Sequence, residues 1–114
     1  MRPKLQGYFE GELREARAAE TTGARERAWQ HLERAHVLSQ AHAGAHLRVH
    51  LRMFGFAWRQ RDGQELLGQL PRMLVAAPGS WLGRAPRGNT GGARVGILTP
   101  MPIPPDLQAQ LEAD

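Results

Sequence analysis

Residues 24–61 read A-R-E-R-A-W-Q-H-L-E-R-A-H-V-L-S-Q-A-H-A-G-A-H-L-R-V-H-L-R-M-F-G-F-A-W-R-Q-R. Two stretches of helical periodicity meet here at a short break. In the first, Ala28, Leu32, Ala35 and Ser39 recur on one face with Trp29, His36 and Leu38 flanking them, which predicts a helix over about Ala24–Gln40. In the second, Arg48, Arg52 and Arg59 collect on one side, and Leu47, Val49, Leu51, Met53, Phe54, Phe56, Ala57 and Trp58 fill a wide apolar arc. That pattern predicts a helix over about Ala45–Arg61. Ala41–Gly44 reads as the turn between them, or Gly44 sits in a frayed first turn. A connection this short lays the two helices antiparallel with their apolar faces together.

Outward from this hairpin, Leu5, Tyr8, Phe9, Leu13, Ala16 and Ala19 predict an earlier helix over roughly Leu5–Glu20, broken by Thr21, Thr22 and Gly23. On the other side, Asp62-Gly63 closes the third helix and opens a fourth over Gln64–Ala77, in which Pro71 is expected to kink or interrupt the backbone. After Ala77 the chain turns rich in Gly and Pro, and helix is not expected. R-V-G-I-L-T reads as a short extended segment and P-M-P-I-P-P as a polyproline-like strap. Val95, Ile97, Leu98, Met101, Ile103 and Leu107 are too many apolar residues for a free tail, so the strap is expected to lie across the helices. Residues 108–114 read as a short helix or a frayed end. The expected fold is all-α: one domain over 1–114, with four helices in 1–77 forming a small antiparallel helix-hairpin bundle and a Gly/Pro-rich strap in 78–114.

Composition narrows the function classes. The chain has no cysteine, which removes disulfides, thiolate zinc sites and cysteine nucleophiles. No apolar run is long enough to span a membrane, and M-R-P-K-L-Q-G-Y-F-E lacks the apolar core of a secretory signal, so a cytoplasmic location is expected. The net charge is +4, and eight arginines against two acids lie between Arg48 and Arg94. Such a surface can attract an acidic partner or nucleic acid, but few aromatic residues are interleaved for base stacking, which disfavours nucleic acid.

All five histidines, His31, His36, His42, His46 and His50, fall within twenty residues. His46 and His50 lie one turn apart near the middle of the apolar arc, and His36 lies within the apolar face of the preceding helix. The short turn brings these faces together, so His36, His46 and His50 are expected to converge. Neutral imidazole is a ligand for zinc, copper, nickel or iron, and three histidines leave a coordination position open for water or substrate. Glu33 is a candidate ligand or supporting carboxylate, His31 and His42 are further candidates, and Met53 is a soft ligand suited to copper. The competing reading is a set of core histidines hydrogen-bonded to carbonyls, to Glu33 or to one another. Position 43 is Ala, so H-E-x-x-H is absent and a zincin-type protease is not supported. If a metal binds, the ordinary imidazole pKa of about 6.5 implies release below about pH 6.

The segment G-R-A-P-R-G-N-T-G-G-A-R-V places glycines beside Asn89 and Thr90, with Arg84, Arg87 and Arg94 flanking. Backbone N–H groups in such loops cradle anions, which makes Arg87, Asn89, Thr90 and Gly91 candidates. It is neither a Walker A loop nor a dinucleotide fingerprint, and a structural turn with glycines at positive φ explains it as well.

G-A-R-E-R-A-W-Q-H-L-E-R-A-H resembles the second helix of a tetratricopeptide unit, which supports helix hairpins but not a solenoid. H-L-E-R-A-H-V-L-S-Q, H-L-R-V-H-L-R-M and G-N-T-G-G-A-R-V…P-M-P-I-P-P-D-L together resemble a small bacterial family that carries only a domain-of-unknown-function label. That resemblance implies metal handling, with His31, Glu33, His36, His46, His50, Asn89, Thr90 and Gly91 at the motif positions. Two functions follow. One is a protein that binds a metal ion or small ligand through its histidines, with zinc or copper as the metal, for metal handling or a metal-dependent reaction. The other is a helical interaction module with an arginine face. Pooling of histidines across a homodimer is compatible with either, and no reaction is legible.

Overall fold

The computed structural model describes the backbone of residues 1–81, 87–94 and 99–113, and the side chains of these apart from 75–81. Helix α1 spans Pro3–Thr21, α2 Arg25–Ser39, α3 Ala43–Arg59, α4 Gly63–Trp81 and α5 Pro105–Glu112. No strand occurs among the described residues, so the fold is all-α as expected.

Local chemistry sets the ends of the helices. Pro3 opens α1, where a missing N–H costs nothing. At its other end Gly23 takes φ 81°, and the Gly23 and Ala24 amides donate to the carbonyls of Glu20 and Ala19. That is a Schellman closure, and it turns the chain back into α2. The same closure ends α3, but with Arg61 in the left-handed position at φ 56°. Arg61 and Asp62 donate to the carbonyls of Trp58 and Ala57. Asp62-Gly63 was expected to supply this turn; instead Gly63 already begins α4, and the Asp62 carboxylate accepts the Glu65 amide at 3.2 Å as an N-cap.

The main core lies between α1, α2 and α3. Phe9, Leu13, Ala16 and Ala19 of α1 pack with Ala28, Leu32 and Ala35 of α2 and with Val49, Met53 and Phe56 of α3. The Trp29 and Phe56 rings, 5.7 Å apart, join α2 to α3. Polar contacts seam the rim: Glu12 of α1 is hydrogen-bonded to His31 and ion-paired with Arg34 of α2, Glu10 is paired with Arg48, and Glu20 with Arg59. A second cluster sits at the C-terminal end, where Leu107 is buried against Leu5, Val37 and Leu38, with Ile103 and Leu111 packed beside it.

Helix α3 begins at Ala43, with His42 as its N-cap, so Gly44 lies inside the first turn, the second of the two readings of this break. Three expectations need correction. Helix α4 runs through Pro71 and past Ala77 to Trp81. Pro71 lies on the exposed side of the helix, where water can satisfy the carbonyl that its missing N–H leaves without a partner, and the helix continues. The apolar arc of α3 is not all core, because Leu51 and Trp58 are 56% and 66% exposed. Residues 105–112, partly assigned to the strap, form α5. Of the strap residues, Val95, Ile97 and Leu98 lie outside the described residues, while Ile103 and Leu107 pack on the helices as expected.

Candidate metal centre

The turn between α2 and α3 brings His36 from the last turn of one helix against the first two turns of the other. His36, His46 and His50 are 2%, 6% and 2% exposed. Their Nε2 atoms form a small triangle: 2.9 Å between His36 and His46, 3.1 Å between His36 and His50, and 3.3 Å between His46 and His50. The ring centroids are 4.7, 4.7 and 5.0 Å apart and the planes are steeply inclined, so the rings surround the triangle like blades. A metal with bonds of about 2.0–2.1 Å sets cis nitrogens roughly 2.9 Å apart in octahedral and 3.3 Å apart in tetrahedral geometry. The triangle spans that interval.

Proton positions follow from the partners of the outer ring nitrogens. His36 Nδ1–H donates to the Asn89 carbonyl at 2.6 Å. A carbonyl only accepts, so the Nε2 of a neutral His36 carries a lone pair. His50 Nδ1–H donates to Gln69 Oε1 at 2.6 Å. The amide orientation of Gln69 is set in turn, because its Nε2 donates to the Gly91 carbonyl at 2.9 Å and to the Glu65 carboxylate at 3.1 Å. His50 Nε2 therefore also carries a lone pair. Burial, reinforced by the neighbouring histidines, holds His36 well below the usual imidazole pKa. Burial lowers His50 to about 4, against the opposing hydrogen bond to Gln69 and with the Arg72 charge assisting. Both rings are neutral at neutral pH. Two lone pairs thus face each other at 3.1 Å, and the single proton that His46 could direct inward satisfies only one of them. Hydrogen bonding among the three rings thus serves at most one of the two inward lone pairs, and the three nitrogens are close enough together to hold a metal ion.

Around the triangle lies a supporting layer. Glu65 and Gln69, one turn apart on the inner face of α4, are both buried. The Glu65 carboxylate accepts the Ala93 amide at 2.9 Å and Arg94 Nη1 at 3.3 Å, tying α4 to the 87–94 loop. The loop lies directly on the site. Gly91 has φ 86°, and a Cβ there would stand 2.5–2.8 Å from three atoms of the His36 ring. Neither the backbone angle nor the space admits a side chain.

The other candidates fall elsewhere. His31 pairs with Glu12 at 2.7 Å, and His42 caps α3. Neither joins the triangle, and no carboxylate does so among the described residues. Glu33 lines a separate cleft of about 750 Å³ with Trp29, Phe56, Glu65, Thr90 and Arg94. Burial raises its pKa, against hydrogen bonds from Thr90 and Trp29. Met53 is fully buried in the main core. In the loop, the amides of Gly88, Gly91 and Ala93 donate to Gln40, Asn89 and Glu65 side chains. Arg87 donates to Gln108. Toward the histidines the loop thus presents carbonyl oxygens. Sequence reasoning missed Glu65, Gln69 and Arg72. Their signal was three polar residues at helical spacing in the otherwise apolar E-L-L-G-Q-L-P-R-M-L of residues 65–74.

Fold and site define a class: an all-α chain with a buried three-histidine cluster suited in geometry to a transition metal. The chain belongs to the family described as a protein of unknown function, DUF3703, whose model matches residues 3–111. No curated protein and no solved structure matches it.

Proposed function

We propose that this protein binds one transition-metal ion, zinc or copper, through the Nε2 atoms of His36, His46 and His50. The observation that carries this reading is the pair of inward lone pairs on His36 and His50, held 3.1 Å apart by Nδ1 donation to fixed acceptors. A core that needed only packing would place apolar side chains here, or rings that donate to one another. Outer carbonyl acceptors on metal-binding histidines raise ligand basicity and fix the rings, as Asn89 and Gln69 do. Three protein ligands leave a position for water or another small ligand. Burial beneath the 87–94 loop favours holding and handing on the ion over rapid turnover of a bulky substrate. The arginine-face reading is weaker, because Arg48, Arg59 and Arg94 are engaged with Glu10, Glu20 and Asp62.

The test is titration of zinc and copper(II) into untagged, chelator-stripped protein, followed by calorimetry and metal analysis. One ion per chain is expected. His36→Ala, His46→Ala and His50→Ala should each weaken binding more than about a hundredfold, beyond the 10–100-fold of a change outside the ligand set. His31→Ala should leave it unchanged. Folded wild-type protein that takes up neither ion stoichiometrically would overturn the proposal.

A further inference from the structure

Helix α4 is turned the wrong way for a surface helix. Its inner side carries Glu65, Gln69 and Arg72, which are 4%, 0% and 8% exposed, while Leu67, Leu70 and Leu74 are 73%, 47% and 79% exposed. Among its described side chains Glu65 and Arg72 are the only charged ones, so its outer face carries no charge. The adjoining α3 shows a matching stripe. Leu47, Leu51, Phe54 and Trp58 follow one another at intervals of four, three and four; Leu51 and Trp58 are exposed, and the Phe54 and Trp58 rings lie 6.3 Å apart. Alternating steps of three and four are the spacing of a helix–helix seam.

We propose that the outer face of the α3–α4 hairpin is the docking surface for a second copy of this chain, the two hairpins forming a two-fold four-helix bundle. The area fits. Leu51, Trp58, Leu67, Leu70 and Leu74 together expose on the order of 600 Å². That is the upper end for the largest patch on a monomer and most of the ~800 Å² that each partner contributes to a standard interface. Charge selects the occupant. Each chain carries +4, so two copies repel one another at long range and a contact between them needs a face without charge. At this face they meet through neutral side chains. A helix that lies on a membrane carries Lys or Arg along its polar side, and α4 exposes none among its described residues. An apolar stripe that meets itself about a two-fold axis needs no second protein. The arrangement also braces the helix whose inner face orients His50.

Sedimentation equilibrium from ~1 to ~100 µM decides the matter. Wild type should show twice the chain mass of 12.7 kDa. Leu67→Glu combined with Leu74→Glu should give single chains with unchanged helical circular dichroism. Tyr8→Glu, on the exposed side of α1, should stay dimeric. If the double variant loses helix, Leu70→Lys provides an independent break of the same face. A single-chain mass for wild type throughout the range overturns the proposal, including the case where that monomer binds phosphatidylcholine vesicles. A dimer that survives the folded Leu→Glu or Leu→Lys variants overturns it as well.

Discussion

His36 and His50 each commit their one N–H to a carbonyl-type oxygen outside the triangle, and that choice governs how the site responds to pH. In the unfolded chain both rings take up protons near pH 6.5; in the folded, metal-free protein His50 does so only near 4 and His36 lies well below its usual value. Folded pKa values below unfolded ones mean that this stability is fully present above about 6.5 and is lost as pH falls toward 4. For His50 alone the difference is on the order of 3 kcal/mol. Urea midpoints of chelator-stripped protein should therefore drop clearly between pH 7.5 and pH 5, and equal midpoints would contradict the burial argument. If the proposed ion binds, its release, placed below about pH 6 for ordinary imidazoles, should move to lower pH, because protons compete poorly at buried rings. Two neighbours should tune the site without touching the metal. Gln69→Leu removes the acceptor that orients His50, and zinc or copper affinity should fall about 10–100-fold with the helices intact. Gly91→Ala places a methyl against the His36 ring and strains φ 86°. It should lower both affinity and thermal stability, and unchanged binding by the Gly91→Ala variant would show that the loop does not press on the site.

Among the elements, the junction of α3 and α4 carries the clearest local strain. Arg61 closes α3 in a left-handed conformation that costs a non-glycine residue about 1–2 kcal/mol, and glycine adopts it freely. Arg61→Gly should therefore raise stability by about 0.5–1 kcal/mol, after the greater unfolded-chain entropy of glycine is subtracted. A lower melting temperature for this variant would mean that the Arg61 side chain contributes more than its backbone costs. Asp62 acts in the opposite sense. It caps α4 through the Glu65 amide and accepts Arg94, so Asp62→Ala should destabilise by about 1 kcal/mol, measured by chemical denaturation.

At the scale of the whole molecule, two neighbouring closures hold the helices in place, joined to each other by the hydrogen bond from Arg87 to Gln108. The 87–94 loop joins α2 to α4 across the histidines through Asn89, Gly91 and Ala93. Helix α5 seals the second apolar cluster through Leu107, which is 1% exposed. Leu107→Ala should cost about 2–5 kcal/mol by cavity formation while leaving metal stoichiometry at one, because the cluster it belongs to does not include the triangle. Removing the proposed ion should loosen the molecule at the histidines. A ligand at a thousandfold excess over its dissociation constant stabilises by about 4 kcal/mol, so chelation should lower the melting temperature of zinc-loaded protein by roughly 10–20 °C. No change on chelation would mean that any bound ion sits outside the folded core.

Periodicity and breaks in the first eighty residues were enough to read the helices, because amphipathic spacing and turn residues are local properties of the chain. The convergence of His36, His46 and His50 was legible for the same reason: four-residue spacing, an apolar face and a short turn leave little freedom. What lay beyond sequence was everything set by contacts distant in the chain. Pro71 read as a break because its own backbone disfavours helix, and only its exposed position in the fold shows why α4 continues. Leu51 and Trp58 belong to the apolar arc read for α3, yet they face outward, and Leu67, Leu70 and Leu74 face outward because α4 turns its polar side to the histidines. Gln69 and Glu65 were missed, since their roles come from a loop some twenty or more residues away that folds back onto α2 and α4. Gly91 was read as an anion-loop or turn glycine, and only the fold sets it against the His36 ring. Local pattern determines which residues form helices and which side of each is apolar. Only tertiary packing decides which apolar side is buried, which nitrogen of each imidazole carries the proton, and hence where a cation would sit.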